Sequence, residues 1–234
     1  MKIIRMLLLS SLLLVAYTST KAQGVCDVPT EYVVERYREY IPLNINLMPS
    51  RLFLIGWNKT YLVYGVEPPD EACGCYFFKL HVLDLATQKD TVLYNYNGGI
   101  EAEHEDQFSN IKEFWKANES LLCSQLKQYQ ITQPIHKIRT TEPVPYKVAT
   151  TIDTNHIAET IVPVIERIQV TDPATQKIVY EHRYENVYKR PMEIEVVEVF
   201  ALAGLNKQFL LLAEKLRGWE GPPHIIFYKL VPFD

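Results

Sequence analysis

Cys73 and Cys75 flank a single glycine in the stretch EACGCYFF, residues 71–78, and with Cys26 and Cys123 they make up the chain's four cysteines. Thiols at this spacing can ligate a metal, exchange electrons or form crosslinks. Zinc sites draw on two closely spaced Cys or His pairs, and no second pair exists here. Thiol redox centres favour Cys-x-x-Cys, whereas this is Cys-x-Cys. An even count of cysteines in an exported chain points instead to disulfides. Four cysteines allow three pairings, and joining Cys73 to Cys75 closes a very small ring. The expectation is therefore that each of these two reaches Cys26 or Cys123, with Gly74 letting their side chains diverge.

The remaining reactive types are scattered. His81, His104, His136, His156, His182 and His224 include no pair at the i, i+4 spacing of a helical zinc site. His81 and Asp84 lie three apart in a strand-like stretch, which puts them on opposite faces. His104 sits in EAEHED, residues 101–106, a candidate for a divalent cation. That run lacks the alternation and central glycine of a calcium loop, and acids before a helix also suit its dipole. No Gly-x-Ser-x-Gly elbow, phosphate-cradling loop or dinucleotide fingerprint is present. No catalytic, cofactor-binding or metal-ligating residue is singled out. Trp57 beside a turn and Trp219 in a Gly-Trp-Glu-Gly-Pro-Pro loop are the candidates for contact with a ligand or partner. Such rings stack on sugars or fill a protein pocket. Asn58-Lys59-Thr60 and Asn118-Glu119-Ser120 match the glycosylation triplet, which matters only for export through an endoplasmic reticulum.

The start of the chain sets the compartment expected for these thiols. Lys2 and Arg5 precede an apolar run from Met6 to Ala16, and Thr20 and Ala22 occupy the small-residue positions of a cleavage site. This reads as a secretory signal peptide over 1–22. The apolar run is about 11 residues, short of the ~20 that span a bilayer, and no later stretch approaches that length. No transmembrane segment is expected in the mature chain. Gln23-Gly24-Val25 before Cys26 does not fit a lipid-attachment site. Cleavage removes three cations and no acid, leaving the mature chain more acidic than the −4 of the full 234 residues. An acidic chain without a basic run has nothing to hold a phosphate backbone, which argues against nucleic acid.

The elements that must position these residues are mostly strands. RLFLIGWNKTYLVYGVE, from Arg51, reads as two strands joined at Asn58-Lys59, with Asn58 supplying the left-handed turn conformation. CYFFKLHVLDLATQKDTVLYNYN reads as a second hairpin turning at residues 86–89. Phe108, Ile111, Trp115, Leu122, Leu126 and Tyr129 recur at helical spacing and predict one long amphipathic helix over 105–131, with Asp106 as its cap. Thr30–Ile41 reads as a short helix from Val33, Tyr37 and Tyr40. Gln133–Pro145, with three prolines, reads as a connector. Strand patterns follow at Tyr146–Ile152, Ile161–Thr171, Ile178–Tyr184, Glu193–Leu202, Gln208–Ala213 and Ile225–Val231. The expected fold is mainly β in the α+β sense: antiparallel sheets built from hairpins, with the helix packed on them. The expected organisation is 23–132 for the N-terminal hairpins and helix, 133–145 for the connector and 146–234 for a C-terminal β region, or one domain over 23–234.

Two stretches recur. DLATQKDTVLYNY from Asp84 returns as DPATQKIVYEHRY from Asp172, and LIGWNKTYLVYGVE from Leu54 resembles LAGLNKQFLLLAE from Leu202. The hairpin GWNKTYLVYGVE followed by YFFKLHVLDLAT resembles a blade of TolB-like β-propeller proteins. This block and RGWEGPPHIIFYKL, residues 217–230, also resemble predicted secreted bacterial proteins without an assigned activity. The resemblance covers about residues 52–96 and 196–230 and implies hairpin blades but no catalytic residues. The Lys21-Ala22-Gln23 end of the leader resembles those of Bacteroidetes exports. Together these readings imply a periplasmic, cell-surface or extracellular protein, a non-enzymatic binding or structural module contacting a protein or a glycan. A secreted hydrolase with a site built from scattered Asp, Glu and His is the alternative, and a subunit of an envelope complex the third.

Overall fold

The computed structural model describes residues 24–34, 37, 47–69, 75–98, 108–135, 138–141, 146–156, 160, 162–218 and 221–234. In chain order the elements are β1 (Glu31–Tyr32), β2 (Leu47–Pro49), β3 (Arg51–Trp57), β4 (Tyr61–Glu67), β5 (Phe77–Asp84), β6 (Asp90–Asn97), α1 (Ile111–Gln128), β7 (Gln133–Pro134), β8 (Ile138–Thr141), β9 (Lys147–Asp153), β10 (Val164–Thr171), β11 (Ile178–Arg183), β12 (Glu193–Leu202), β13 (Gln208–Gly218) and β14 (Gly221–Phe233). The fold is mainly β with one substantial helix, as the alternation and the long 3.6-residue period over 105–131 predict.

Three sheets form. A helix-side sheet runs β1-β3-β4-β5-β6, with β7 beside β1 on the β3 edge; a middle sheet runs β2-β14-β13-β12-β8; an outer sheet runs β11-β10-β9. All described pairs are antiparallel except β2 with β14. Strand alternation sends successive side chains to opposite faces. In β3, Phe53 and Ile55 join Phe114, Trp115, Leu122 and Leu126 of α1, while Leu52 and Leu54 meet Phe200, Phe209, Leu211 and Leu230 of the middle sheet. In β13, Leu210 and Leu212 turn the other way, onto Ile165, Ile168 and Val170 of the outer sheet. The layers are thus helix, sheet, sheet, sheet. The two inner sheets are covered on both faces, so β3, β4 and β13 are continuous apolar runs rather than half-polar strands. The first core joins residues from before and after the 133–145 stretch.

Several local expectations are corrected. The helix begins at Ile111, and its cap is Asn110, whose Oδ1 accepts from the Glu113 N–H at 3.1 Å while Glu113 Oε2 accepts from the Ser109 N–H at 3.0 Å. Asp106 lies outside the described residues. The helix ends at Gln128 because Gln130 takes φ 53°, with the N–H of Gln130 bonding to the Lys127 carbonyl and that of Ile131 to the Leu126 carbonyl. Ile131 is buried after that stop, which is why its apolar side chain extends the sequence pattern to 131. In the expected Thr30–Ile41 helix, Glu31 and Tyr32 are instead a strand on β3, and most of the remainder lies outside the described residues. The 133–145 connector contains β7 and β8, both short edge pieces, where a proline costs no ladder bond. Asn58 does not take a left-handed conformation. Its Oδ1 accepts from the N–H groups of Thr60 (2.8 Å) and Tyr61 (2.7 Å), and its Nδ2 donates to the carbonyls of Tyr129 and Gln130 at the helix end.

The two ATQK stretches are the same turn. Asp84 and Asp172 each accept from the N–H two residues on, and each exchanges backbone bonds with the Lys and Gln that close the loop. Gln88 and Gln176 each sit at φ 59°.

Candidate functional site

Cys26 is bonded to Cys123, with Cα atoms 5.4 Å apart and 97 residues between them in sequence. This overturns the expectation that Cys73 and Cys75 each reach one of these two. The segment around Cys26 lies along α1: Trp115 Nε1 donates to the Cys26 carbonyl at 2.8 Å, and Val25 and Val28 pack on the core under the helix. The helix therefore presents Cys123 directly to Cys26. Cys75 is also disulfide-bonded, and among the described residues no cysteine is free. Cys73 lies outside them, as do Trp219, His104 with the EAEHED run, His136 and residues 1–23.

Trp57 is half-buried and joins the core between the helix-side and middle sheets. A Cβ on Gly204 would stand 3.4 Å from its ring, and Gly204 has φ 92°. The ring covers the β12–β13 turn, so the tip of one hairpin seats against the glycine of the other.

The fold gathers polar side chains at three places that spacing alone does not announce. The first is a seam of tyrosines and carboxylates between the sheets. A register shift between Leu80 and His81 turns His81 toward Asp90 across the β5–β6 hairpin, Nδ1 to Oδ1 at 3.1 Å. The buried Tyr64 stacks on the His81 ring at 4.8 Å and donates its hydroxyl to the other Asp90 oxygen. Tyr184 donates to Glu214 Oε1 at 2.6 Å, joining the outer to the middle sheet. Burial first, then the charges of Asp90 and Glu214, push the hydroxyls of Tyr64 and Tyr180 well above their ordinary range, and burial and Glu214 do the same to Tyr184. Asp84, by contrast, caps its own turn and has no part in this seam.

The second lies along the N-terminal strap. Tyr32 donates to Glu198 and Tyr37 to Glu195, while Arg51 bridges Glu31 (2.7 Å) and Glu67 (2.9 Å). Two clefts share Tyr37. One, of about 390 Å³, is lined by Leu47, Glu193, Glu195, Lys215 and Ile226; the other, of about 220 Å³, by Tyr32, Ser50, Arg51 and Tyr228. An aromatic wall with carboxylates at its rim offers a face for stacking and acceptors for hydroxyl groups.

The third is the turn after β9. Asp153 is buried. It accepts from the Asn155 N–H at 2.8 Å, from Arg190 and from His156 Nδ1 at 2.5 Å. Burial alone would raise the Asp153 pKa, but the Asn155 N–H, His156 and Arg190 together hold it below the usual carboxylate range. His156 is 44 % exposed, so an oriented imidazole faces solvent with its second nitrogen uncommitted among the described residues. Such a pair can act as a general base. The D-T-N-H spacing across a turn was its only signal in the sequence. Among the described residues, no group of three His, Cys, Asp or Glu side chains is placed to hold a metal. No described helix is long and apolar enough to cross a membrane.

No protein-family model, curated protein or solved structure matches this chain.

Proposed function

We propose that this chain is an exported envelope or surface protein acting as a non-enzymatic binding or structural module, with a protein or glycan partner. The observation that carries the reading is how the ionisable side chains are used. Tyr184–Glu214, Tyr32–Glu198 and Tyr37–Glu195 tie one chain layer or strap to the next, so most of the assembled polar chemistry holds the stack in register. The Cys26–Cys123 bond supports an oxidising compartment. The cleft bounded by Tyr37, Glu193, Glu195 and Lys215 is the surface favoured for a ligand. The test is a pull-down from the native envelope with the mature chain as bait, beside a glycan array. A retained partner or glycan that is lost in a Glu193→Ala, Lys215→Ala variant with an unchanged melting curve supports the reading. Recovery of no partner together with no glycan binding refutes it.

The Asp153–His156 pair favours a second reading, a hydrolase using His156 as base. Turnover of ester, glycoside or phosphoester reporters that disappears in His156→Ala would replace the first reading with this one.

A further inference from the structure

The outer sheet has one edge that no other described strand closes. Its β11 edge is partly blocked, because Gln88 Nε2 from the β5–β6 turn donates to the Val179 carbonyl at 3.3 Å. The opposite edge is β9, KVATTID, which pairs only with β10 among the described residues. Lys147, Ala149, Thr150, Thr151 and Ile152 are exposed, while Val148 is half-buried against the outer core and Asp153 is buried, so the middle of β9 faces solvent. Between Lys147 and Asp153 it carries no charge, proline or glycine, the devices that normally blunt an edge.

Backbone direction follows from one bond. The Tyr184 N–H donates to the Glu166 carbonyl at 2.8 Å, so Glu166 points toward the β11 side. Alternation then turns Ile168 and Val170 toward β11, and Arg167, Gln169 and Thr171 toward β9. Their partners on β9 are Thr151, Ala149 and Lys147. The N–H and C=O groups of Val148, Thr150 and Ile152 therefore face outward. The Gln88 bond to Val179 agrees with this alternation on the far edge.

We propose that β9 is the interface of a homodimer, pairing antiparallel with β9 of a second copy about a two-fold axis at Thr150. This register is the one that answers every outward group: Thr150 faces Thr150 of the other copy, and Val148 faces Ile152 in both directions, closing six backbone bonds. The side chains agree with it. A Thr–Thr pair and two β-branched apolar pairs are favourable cross-strand neighbours, and Ala149 lies opposite Thr151 without a clash of size or charge. A two-fold axis requires such a self-complementary patch. The result is one six-stranded sheet continuous across two molecules. The contact is small, so association is weak.

The test is sedimentation velocity on the mature protein over roughly 1 to 200 µM. The expected result is a monomer–dimer equilibrium. Thr150→Pro removes an N–H that faces solvent in the monomer, so it leaves the melting temperature and the far-ultraviolet spectrum unchanged. It weakens the dimer about thirtyfold by deleting the two central bonds. Thr150→Lys, which sets like charges opposite each other, also yields monomer. Thr150→Cys crosslinks the dimer under oxidation while Ala149→Cys does not, because only residue 150 meets itself. A wild type that stays monomeric throughout, a dimer untouched in folded Thr150→Pro, or crosslinking through residue 149 rather than 150 overturns the proposal.

Discussion

Removing the Cys26–Cys123 bond tests how the N-terminal segment and α1 share their stability. The two residues are 97 apart, and a loop of that order restricts the unfolded chain by about 4–5 kcal/mol. The folded state loses little besides two sulfur atoms. Phe114, Trp115, Leu122 and Leu126 remain buried against the helix-side sheet, and the Trp115 bond to the Cys26 carbonyl uses backbone that alanine retains. Cys26→Ala with Cys123→Ala should therefore stay folded and lose nearly the whole entropic contribution. At a urea slope of about 2 kcal/mol per M, the unfolding midpoint falls by about 2 M. Equilibrium urea unfolding followed by tryptophan fluorescence reads the region directly, since Trp115 is 1 % exposed. A loss below ~1 kcal/mol would show that the unfolded ensemble is not restrained by this crosslink, and the reasoning would fall.

Other outcomes follow from single positions. Gln176→Gly relieves a left-handed backbone at φ 59° at the loss of one exposed local bond to the Pro173 carbonyl and should stabilise by about 0.5 kcal/mol in thermal melts, whereas Gln88→Gly should destabilise, because it removes two part-buried bonds, to the Val179 and Pro232 carbonyls. Gly65→Ala drives a Cβ to 2.5 Å from the Phe78 ring and should cost about 1–3 kcal/mol, read by the same melts. Tyr64, Tyr180 and Tyr184 have raised pKa values, so the stability they contribute is complete below the unfolded value near 10 and is lost as pH rises above it. Each removes about 1.4 kcal/mol per pH unit there, and ultraviolet titration should show them ionising only with unfolding.

Hairpins and helix were legible because their periods are local. The Asn58 turn, the ATQK turns and the Phe108–Tyr129 pattern each declare themselves within a short window. What was not legible depends on partners far along the chain. The cysteine pairing follows from where α1 lands over residues 24–28, which no spacing encodes. Asp90 joins Tyr64 and His81 only because a register shift turns one strand. The strand role of Glu31–Tyr32 is imposed by the open edge of β3, against a helical pattern of its own. Asp153 and His156 are near neighbours, but nothing in four residues of turn tells that Arg190 arrives from beyond β11 to hold the carboxylate in place.

The doubly covered inner sheets also bear on how the chain reaches this state. Leu52 and Leu62 find their cover in Phe209 and Leu211, which follow them far along the chain and are synthesised well after them. Until those strands arrive, the β3–β6 meander holds a bare oily plane, and pairing across such distances is slow. A nascent chain in that interval is a natural client for holdase chaperones. Recovery of the protein from an expression host is then governed by how that interval is guarded, more than by the strength of the finished stack.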